Sequence, residues 1–258
     1  MKLIILAGGK GTRLSEETIV KPKPLVLVGG KPIIWHIMKH YSHFGVNEFI
    51  ICLGYKGNLI KEYFSNYHLL NSDIEIDTSK NEYKILKKSK DNWKIKLVDT
   101  GENTLTGGRI KKVLKYVKKD EYFALTYGDG VSNIDIKKQI KFHKKHKKIA
   151  TMSLVQPPGR FGAVEFKGKV IEKFIEKPQG DGAWVNGGFF ILSPKITQYI
   201  KGLNPIWEQE PLKKLSKKKQ VIGYFHKGFW FAMDTLRDQI YLDDLWSKSK
   251  APWKMWND

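Results

Sequence analysis

The sequence predicts an α/β fold in which a doubly wound, mostly parallel, Rossmann-like mixed sheet forms the core. The runs at 3–7, 48–53 and 122–127 are apolar at most positions, as strands buried on both faces must be. Between these runs, apolar residues recur at helical spacing over 33–44 and 110–117. This alternation of buried strands and amphipathic helices predicts repeated parallel βα units.

The second half of the chain has a different pattern, with few helices between its short strands. The strand candidates are 150–156, 163–166, 170–175, 185–192 and 221–225. Helices are expected at 207–217 and 236–246. We expect the short strands to add mixed or antiparallel pairs to the sheet and to build a substrate pocket.

The domain organisation follows from the absence of any linker-like stretch in the 258 residues. We expect a single domain over 1–258, large enough for one sizeable core. It divides into an N-terminal half of about 1–148, a second half of about 149–235, and a C-terminal helix and tail over 236–258.

The net charge of +20 raises the possibility of a nucleic-acid partner. Only four of the 46 basic residues are arginine, the residue that supplies most bidentate contacts to bases and phosphates. The lysines concentrate in runs at 137–148 and 213–219, which are typical of solvated helix faces. We therefore predict no nucleic-acid partner.

Hydropathy and cysteine content predict a cytoplasmic protein. No stretch approaches the roughly 18 apolar residues of a membrane span, and the apolar N-terminus is too short for a signal peptide. The single cysteine, Cys52, lies in an apolar run and cannot form an internal disulfide, which fits a reducing compartment. We expect no membrane partner.

The most informative motif is Gly-Gly-Lys-Gly-Thr-Arg-Leu at 8–14, directly after the first predicted strand. Three glycines within four residues allow the backbone to approach an anion closely and to present successive N–H groups to it. A P-loop would need Gly-x4-Gly-Lys-Ser/Thr, which is absent. A dinucleotide-binding loop would need a third glycine where Leu14 stands. The motif therefore predicts phosphate binding of another kind.

Further motifs follow this loop along the whole chain. They are Lys-Pro-Leu-Val at 23–26, Gly-Lys-Pro at 30–32, Tyr-Gly-Asp-Gly at 127–130, Glu-Lys-Pro at 176–178, Asn-Gly-Gly-Phe-Phe at 186–190 and Met-Asp-Thr at 233–235. In this order they resemble the signature of the sugar nucleotidyltransferase family. The resemblance implies a Rossmann-like enzyme that joins a sugar 1-phosphate to a nucleoside triphosphate and releases pyrophosphate.

Several details resemble the branch of that family that uses CTP and glucose 1-phosphate. They are Ser-Glu-Glu-Thr at 15–18, Lys-Pro-Lys-Pro at 21–24, Thr-Leu-Thr-Gly-Gly-Arg at 104–109 and Pro-Pro-Gly-Arg-Phe-Gly-Ala at 157–163. Glu16 stands where many thymidylyl- and uridylyl-transferring relatives carry proline. The alternatives are the same reaction with UTP or dTTP, and a nucleotide-sugar-binding protein without catalysis.

The chemistry implied by this resemblance requires positive charge rather than a general base. The attacking phosphate is already anionic near neutral pH, since its second pKa is about 6. Two polyanions must be brought together, which calls for cations, backbone donors and a metal. Lys23, held in a proline loop, is the first candidate for a catalytic cation, with Lys21 as its neighbouring alternative. Arg13 would neutralise the triphosphate.

The resemblance also implies roles for other positions. Lys177 would act with Arg13 and Lys23 as a catalytic cation. The residues expected to bind the nucleotide are Leu6, Ala7, Gly8, Gly9, Lys10, Gly11, Thr12, Arg13, Lys23, Thr104, Arg109 and Gly128. Those expected to bind the sugar phosphate are Glu172, Lys177, Asn186 and Gly187. Asp129, at the carboxyl end of a predicted strand, and Asp234 would hold Mg²⁺.

The C-terminal tail carries Trp253 and Trp256, which is more apolar surface than a free terminus exposes. We expect this tail to dock on the body of the protein or on another subunit. Separately, a homo-oligomer is expected.

Overall fold

The structure is a computed structural model that describes residues 1–87, 90–157, 159, 163–175 and 183–257. Its strands are β1 Lys2–Leu6, β2 Leu27–Val28, β3 Lys31–Pro32, β4 Glu48–Leu53, β5 Asp73–Asp77, β6 Glu82–Lys87, β7 Lys94–Asp99, β8 Phe123–Tyr127, β9 Gly130–Ser132, β10 Ala150–Val155, β11 Ala163–Lys167, β12 Val170–Ile175, β13 Val185–Leu192, β14 Val221–Phe225 and β15 Trp230–Ala232. Its helices are α1 Ser15–Thr18, α2 Ile33–His43, α3 Gly57–Ser65, α4 Tyr67–Leu70, α5 Thr106–Val113, α6 Ile136–His146, α7 Glu210–Lys217 and α8 Leu236–Ser247.

The central sheet has seven strands in the order β14-β10-β13-β8-β1-β4-β7. Within this order, each neighbouring pair from β8 through β1 and β4 to β7 is parallel, and β14 is parallel to β10. Only β13 runs against its neighbours, since it is antiparallel to both β8 and β10. The predicted mixed, mostly parallel sheet is therefore confirmed, and it takes strands from both halves of the chain.

The apolar runs form strands because the sheet has a core on each face. Leu3 and Ile5 point into one apolar cluster and Ile4 and Leu6 into the other, and all but Leu6 are completely buried. Burying one such side chain contributes about 1.5–3 kcal/mol. A strand covered on both faces gains this at each apolar position, which accounts for the uninterrupted apolar run over 3–6 within β1.

The sheet brings two chemically important segments together. β1 and β8 are parallel neighbours, with Leu6 opposite Tyr127 in the register. Because parallel strands end at the same edge, the glycine-rich loop after β1 lies beside Gly128 and Asp129 after β8. A backbone hydrogen bond from Gly128 N–H to the Leu6 carbonyl, at 3.0 Å, fixes the two segments against each other.

Two helices begin at residues other than those predicted. The helix expected at 110–117 begins at Thr106, and a 3₁₀ turn replaces its end over Leu114–Tyr116. The helix expected at 207–217 begins at Glu210, because Trp207 is packed in the core and Pro211 occupies the first turn. Within the described part of the chain, β11 and β12 pair only with each other and lie outside the central sheet.

The C-terminal tail packs on the body of its own chain. Trp253 is fully buried, and its ring lies 5.5 Å from that of Phe229 and 6.0 Å from that of His36. Trp256 is also buried and contacts Trp35. The tail's apolar surface is therefore covered within one chain. Across the described residues, none of the helices is long and apolar enough to cross a membrane.

Candidate active site

A cavity of about 630 Å³ opens at the edge of the sheet where β1 and β8 end. Its lining includes Leu6, Ala7, Gly8, Gly9, Gly11, Thr12, Arg13, Lys23, Thr104, Thr106, Arg109, Tyr127, Gly128, Asp129, Asn186, Gly187, Glu208, Trp230 and Asp234. The lining thus joins the glycine-rich loop to residues from both halves of the chain. Its volume suits a ligand of nucleotide size.

Lys23 lies at the floor of this cavity between two carboxylates. Its ammonium nitrogen is 2.7 Å from Asp129 Oδ2 and 2.7 Å from Asp234 Oδ1. Arg13 reaches one of these two carboxylates, with Nη1 at 2.8 Å from Asp234 Oδ2. Four charged groups predicted for catalysis and metal binding therefore meet, although Lys21, the alternative cation, pairs instead with Glu17 at 3.0 Å.

The chain holds Lys23 in place by local structure. Pro22 is extended, and a short 3₁₀ turn over Lys23–Leu25 follows it. Gly11 has a φ of +64°, and a Cβ there would lie 3.1 Å from the Lys23 Cβ. The left-handed glycine thus lets the phosphate-type loop pass directly over the lysine.

The charge state of Lys23 follows from its surroundings. Lys23 is only 8% exposed, and burial alone would lower the pKa of its ammonium group. The charges and hydrogen bonds of Asp129 and Asp234 outweigh this, and the pKa of Lys23 lies above its ordinary value. The lysine is therefore a permanent cation at neutral pH.

The carboxylates suit a hard divalent cation. Asp129 and Asp234 present oxygens around one point, and Mg²⁺ takes one or two carboxylates together with water and phosphate oxygens. In the described part of the chain, no group of three or more His, Cys, Asp or Glu side chains forms a metal site. The donor set present thus fits Mg²⁺ bound jointly with a phosphate-bearing substrate.

Arg109 lies beneath the glycine-rich loop, 4% exposed. Its Nη1 donates to the Leu53 carbonyl at 2.8 Å and to Thr100 Oγ1 at 2.6 Å, and its Nη2 donates to the Gly8 carbonyl at 2.8 Å and the Glu102 carbonyl at 3.0 Å. Its guanidinium thereby joins the ends of β1, β4 and β7. Its predicted contact with the nucleotide stays a prediction.

The remaining predicted residues fall into three groups. Thr12, Thr104, Gly128, Asn186 and Gly187 line the cavity. Lys10 is exposed and lies 3.7 Å from Glu102, while Glu172 is exposed on β12, and neither lines the cavity. Lys177, with the rest of the Glu-Lys-Pro motif, lies outside the described residues.

The cavity also holds polar residues that the sequence motifs did not indicate. Glu208 accepts hydrogen bonds from Thr106 Oγ1, at 2.7 Å, and from the Tyr127 hydroxyl. Trp230 donates from Nε1 to the Gly187 carbonyl at 2.7 Å. A lone glutamate in a loop carries no sequence signal, although Tyr127 did stand within a recognised motif.

Known proteins are similar to this chain over most of its length. A family model described as nucleotidyl transferase matches residues 2–247. A glucose-1-phosphate cytidylyltransferase of Salmonella typhimurium is 55% identical over 256 residues, which cover 99% of this chain and all of that protein. A Bacillus subtilis protein named as a probable glucose-1-phosphate cytidylyltransferase is 44% identical over 257 residues, again 99% and 100% of the two chains.

Solved structures show the same fold. HddC from Yersinia pseudotuberculosis has a TM-score of 0.67 and 25% identity, covering 95% of this chain and 99% of its own. An apo UDP-glucose pyrophosphorylase has a TM-score of 0.68 at 19% identity, covering 96% and 98% of the two chains, and supports the fold alone. The resemblance expected from the ordered motifs is thus confirmed, and the chain belongs to the nucleotidyl transferase family.

Proposed function

We propose that the protein transfers a cytidylyl group from CTP to α-D-glucose 1-phosphate, forming CDP-glucose and pyrophosphate. The observation that carries this proposal is the meeting of Lys23, Arg13, Asp129 and Asp234 beside a glycine-rich loop. The choice of CTP and glucose 1-phosphate is supported by the full-length likeness to proteins that bear that name.

In the proposed reaction, a phosphate oxygen of glucose 1-phosphate attacks the α-phosphorus of CTP. A bond forms between that oxygen and the α-phosphorus, and the bond to the oxygen bridging the α- and β-phosphates breaks. Pyrophosphate leaves with the electron pair. The attacking phosphate is anionic near neutral pH, so no side chain has to remove a proton from it.

The residues of the cavity address the repulsion between the two substrates. Backbone N–H groups of the loop containing Gly8, Gly9 and Gly11 would bind triphosphate oxygens. The cations of Lys23 and Arg13 would stabilise the negative charge that develops on the leaving pyrophosphate. The Lys23 charge is buried, where it acts more strongly than in bulk water, whereas the Arg13 side chain is mostly exposed.

Asp129 and Asp234 are the proposed ligands of Mg²⁺. When bound, the ion would supply Lewis-acid stabilisation of phosphate charge. The two carboxylates are already oriented by Lys23, so little rearrangement of their backbone would be needed to bind a cation. Lys177 stays a proposed contact of the sugar phosphate.

The cellular setting and assembly are further parts of the proposal. CTP and sugar phosphates are cytoplasmic metabolites, so we place the reaction in the cytoplasm, without a membrane or nucleic-acid partner. The expected homo-oligomer stays a prediction, which the mass in solution by light scattering tests.

The experiment is pyrophosphate release with Mg²⁺ and glucose 1-phosphate, in parallel with CTP, UTP, dTTP, ATP and GTP. A strong preference for CTP is expected. Preference for UTP or dTTP would support the proposed type of reaction but would refute CTP as the nucleotide substrate. No release with any nucleotide or sugar phosphate, combined with tight nucleotide-sugar binding, would favour the non-catalytic alternative.

A further inference from the structure

Glu208 is an unexpected residue in a cavity proposed to receive two polyanions. It lies in the loop directly before α7, and its side chain reaches the cavity beside Thr106 and Tyr127. A free carboxylate there would repel phosphate groups. The residue's contacts indicate what it does instead.

Both oxygens of the Glu208 carboxylate are hydrogen-bonded to hydroxyl groups of the protein. Thr106 Oγ1 donates to Oε2 at 2.7 Å, and the Tyr127 hydroxyl donates to Oε1. A carboxylate oxygen accepts, so the Tyr127 hydroxyl is the donor in its bond to Glu208.

Thr106 belongs to the side of the cavity assigned to the nucleotide. It begins α5, within the Thr-Leu-Thr-Gly-Gly-Arg segment, and its Oγ1 also accepts a hydrogen bond from Trp207 N–H at 2.9 Å. A second contact holds the 104–109 segment to the same loop, because Gly108 N–H donates to the Pro205 carbonyl at 3.1 Å. The loop carrying Glu208 thus supports the predicted CTP-binding segment.

Tyr127 belongs to the side assigned to the sugar. Its hydroxyl lies 3.5 Å from Asn186 Nδ2, while Asn186 Oδ1 accepts from Gly188 N–H at 2.9 Å. The Tyr127 ring packs on Gly188, where a Cβ would lie 2.5 Å from the ring and where φ is +76°. Tyr127 is therefore the residue against which Asn186 is oriented.

We propose that Glu208 is a positioning residue that fixes the CTP-binding segment and the sugar-binding segment relative to each other, through Thr106 and Tyr127. This inference rests on the proposed function. One rigid carboxylate, bonded at each oxygen to a different side of the cavity, sets the spacing between the two substrates. Such spacing matters because a displacement of about 1 Å can reduce a rate by about 10².

The hydroxyls of Thr106 and Tyr127 lie on different sides of the cavity, so variants of each test the effect of Glu208 on one substrate at a time. Thr106→Val removes the nucleotide-side bond to Glu208, together with the hydrogen bond from Trp207 N–H, and is expected to raise KM for CTP about tenfold, with KM for glucose 1-phosphate unchanged. Tyr127→Phe removes the sugar-side bond to Glu208, together with the contact to Asn186, and is expected to raise KM for glucose 1-phosphate about tenfold. Glu208→Leu is expected to raise both, because an aliphatic side chain of similar size can bond to neither hydroxyl.

The experiment measures steady-state kinetics for both substrates, with each variant's thermal unfolding recorded. A loss of folded enzyme lowers kcat but leaves KM unchanged, so the KM pattern separates positioning from a merely structural role. Thr106→Ser keeps the hydroxyl and is expected to restore KM for CTP. Glu210→Leu is the matched control, since Glu210 is exposed and pairs with Lys214 at 2.9 Å.

Glu208→Leu with both KM values within twofold of the wild type would overturn the inference. If that variant does not fold, Thr106→Val and Tyr127→Phe decide, and a rise in neither KM, or in the wrong one, overturns it. Failure of the proposed function would look different, because the wild type itself would then not use CTP and glucose 1-phosphate.

Discussion

The Lys23 ammonium lies 2.7 Å from the Asp129 carboxylate, and it makes a second contact of equal length with Asp234. The lysine thereby occupies the point around which the proposed Mg²⁺ ligands are arranged. A lysine and a divalent cation at this point would compete for the same oxygens. Loss of the lysine charge should therefore strengthen metal binding to the nucleotide-free protein.

We predict that Lys23→Met binds Mn²⁺ at least tenfold more tightly than the wild type in the absence of nucleotide, while its turnover falls by at least 10². Removing the ammonium leaves two carboxylates without their cation, and a divalent ion is the group that best replaces it. Mn²⁺ binding is measured by electron paramagnetic resonance. Lys21→Met is the control, because Lys21 pairs with Glu17 instead. Equal Mn²⁺ affinity in Lys23→Met and wild type would contradict the competition.

A second prediction concerns the glycine-rich loop. A Cβ at Gly8 would lie 2.1 Å from Arg109 Nη1, whereas a Cβ at Gly9 would meet nothing within 4 Å. Gly8→Ala should therefore lower the free energy of unfolding by about 2–4 kcal/mol, because the buried guanidinium must move away from its acceptors. Gly9→Ala should unfold within about 0.5 kcal/mol of the wild type. Urea unfolding compares the two, and equal losses would contradict the close approach of Gly8 to Arg109.

The contrast between Gly8 and Gly9 shows what the sequence could and could not predict. The apolar run of β1 and the glycines after it were sufficient to place a phosphate-type loop at a strand end, since both signals are local. The position of Arg109 was not predictable, because its acceptors come from Leu53, Thr100 and Gly8, which only the folded sheet brings together. The sequence therefore predicts that Arg109 contacts the nucleotide, but it does not predict the hydrogen bonds that Arg109 makes beneath the glycine-rich loop.

The same distinction applies to the carboxylates. Asp129 and Asp234 each stood beside a turn or a helix start, where a structural role was as plausible from local sequence alone. Their shared contact with Lys23 joins residues that are 106 and 211 positions from the lysine. Glu208 had no local signal at all, because its partners Thr106 and Tyr127 lie in the other half of the chain.

A third prediction separates the structural role of Arg109 from its predicted contact with CTP. Arg109→Lys should lower the free energy of unfolding by about 2–4 kcal/mol, because one ammonium cannot reach four separated acceptors. Calorimetric unfolding of variant and wild type measures this loss. Arg237→Lys, on α8, is the matched control and should unfold like the wild type. Unchanged stability in Arg109→Lys would show that the four hydrogen bonds are dispensable.

The last prediction is a dependence of stability on pH that arises at His36. Burial lowers the pKa of His36 to about 4. Its Nε2 lies 2.8 Å from the Val28 carbonyl and its Nδ1 accepts from Trp253 Nε1 at 3.3 Å, an arrangement that requires the neutral ring. The unfolded chain binds a proton below about pH 6.5, so stability is complete above that pH and falls by about 1.4 kcal/mol per pH unit towards pH 4.

Protonation of His36 also removes the acceptor that holds Trp253, so the C-terminal tail should loosen as the pH falls. We expect tryptophan fluorescence to shift to longer wavelength around pH 4, where the folded protein itself takes up this proton, and the unfolding free energy measured in urea to fall between pH 6.5 and 4. His36→Asn should flatten this dependence by one proton's contribution. His43→Gln should leave it unchanged, because His43 lies exposed at the end of the same helix. An identical pH profile in His36→Asn and wild type would exclude His36 as its source.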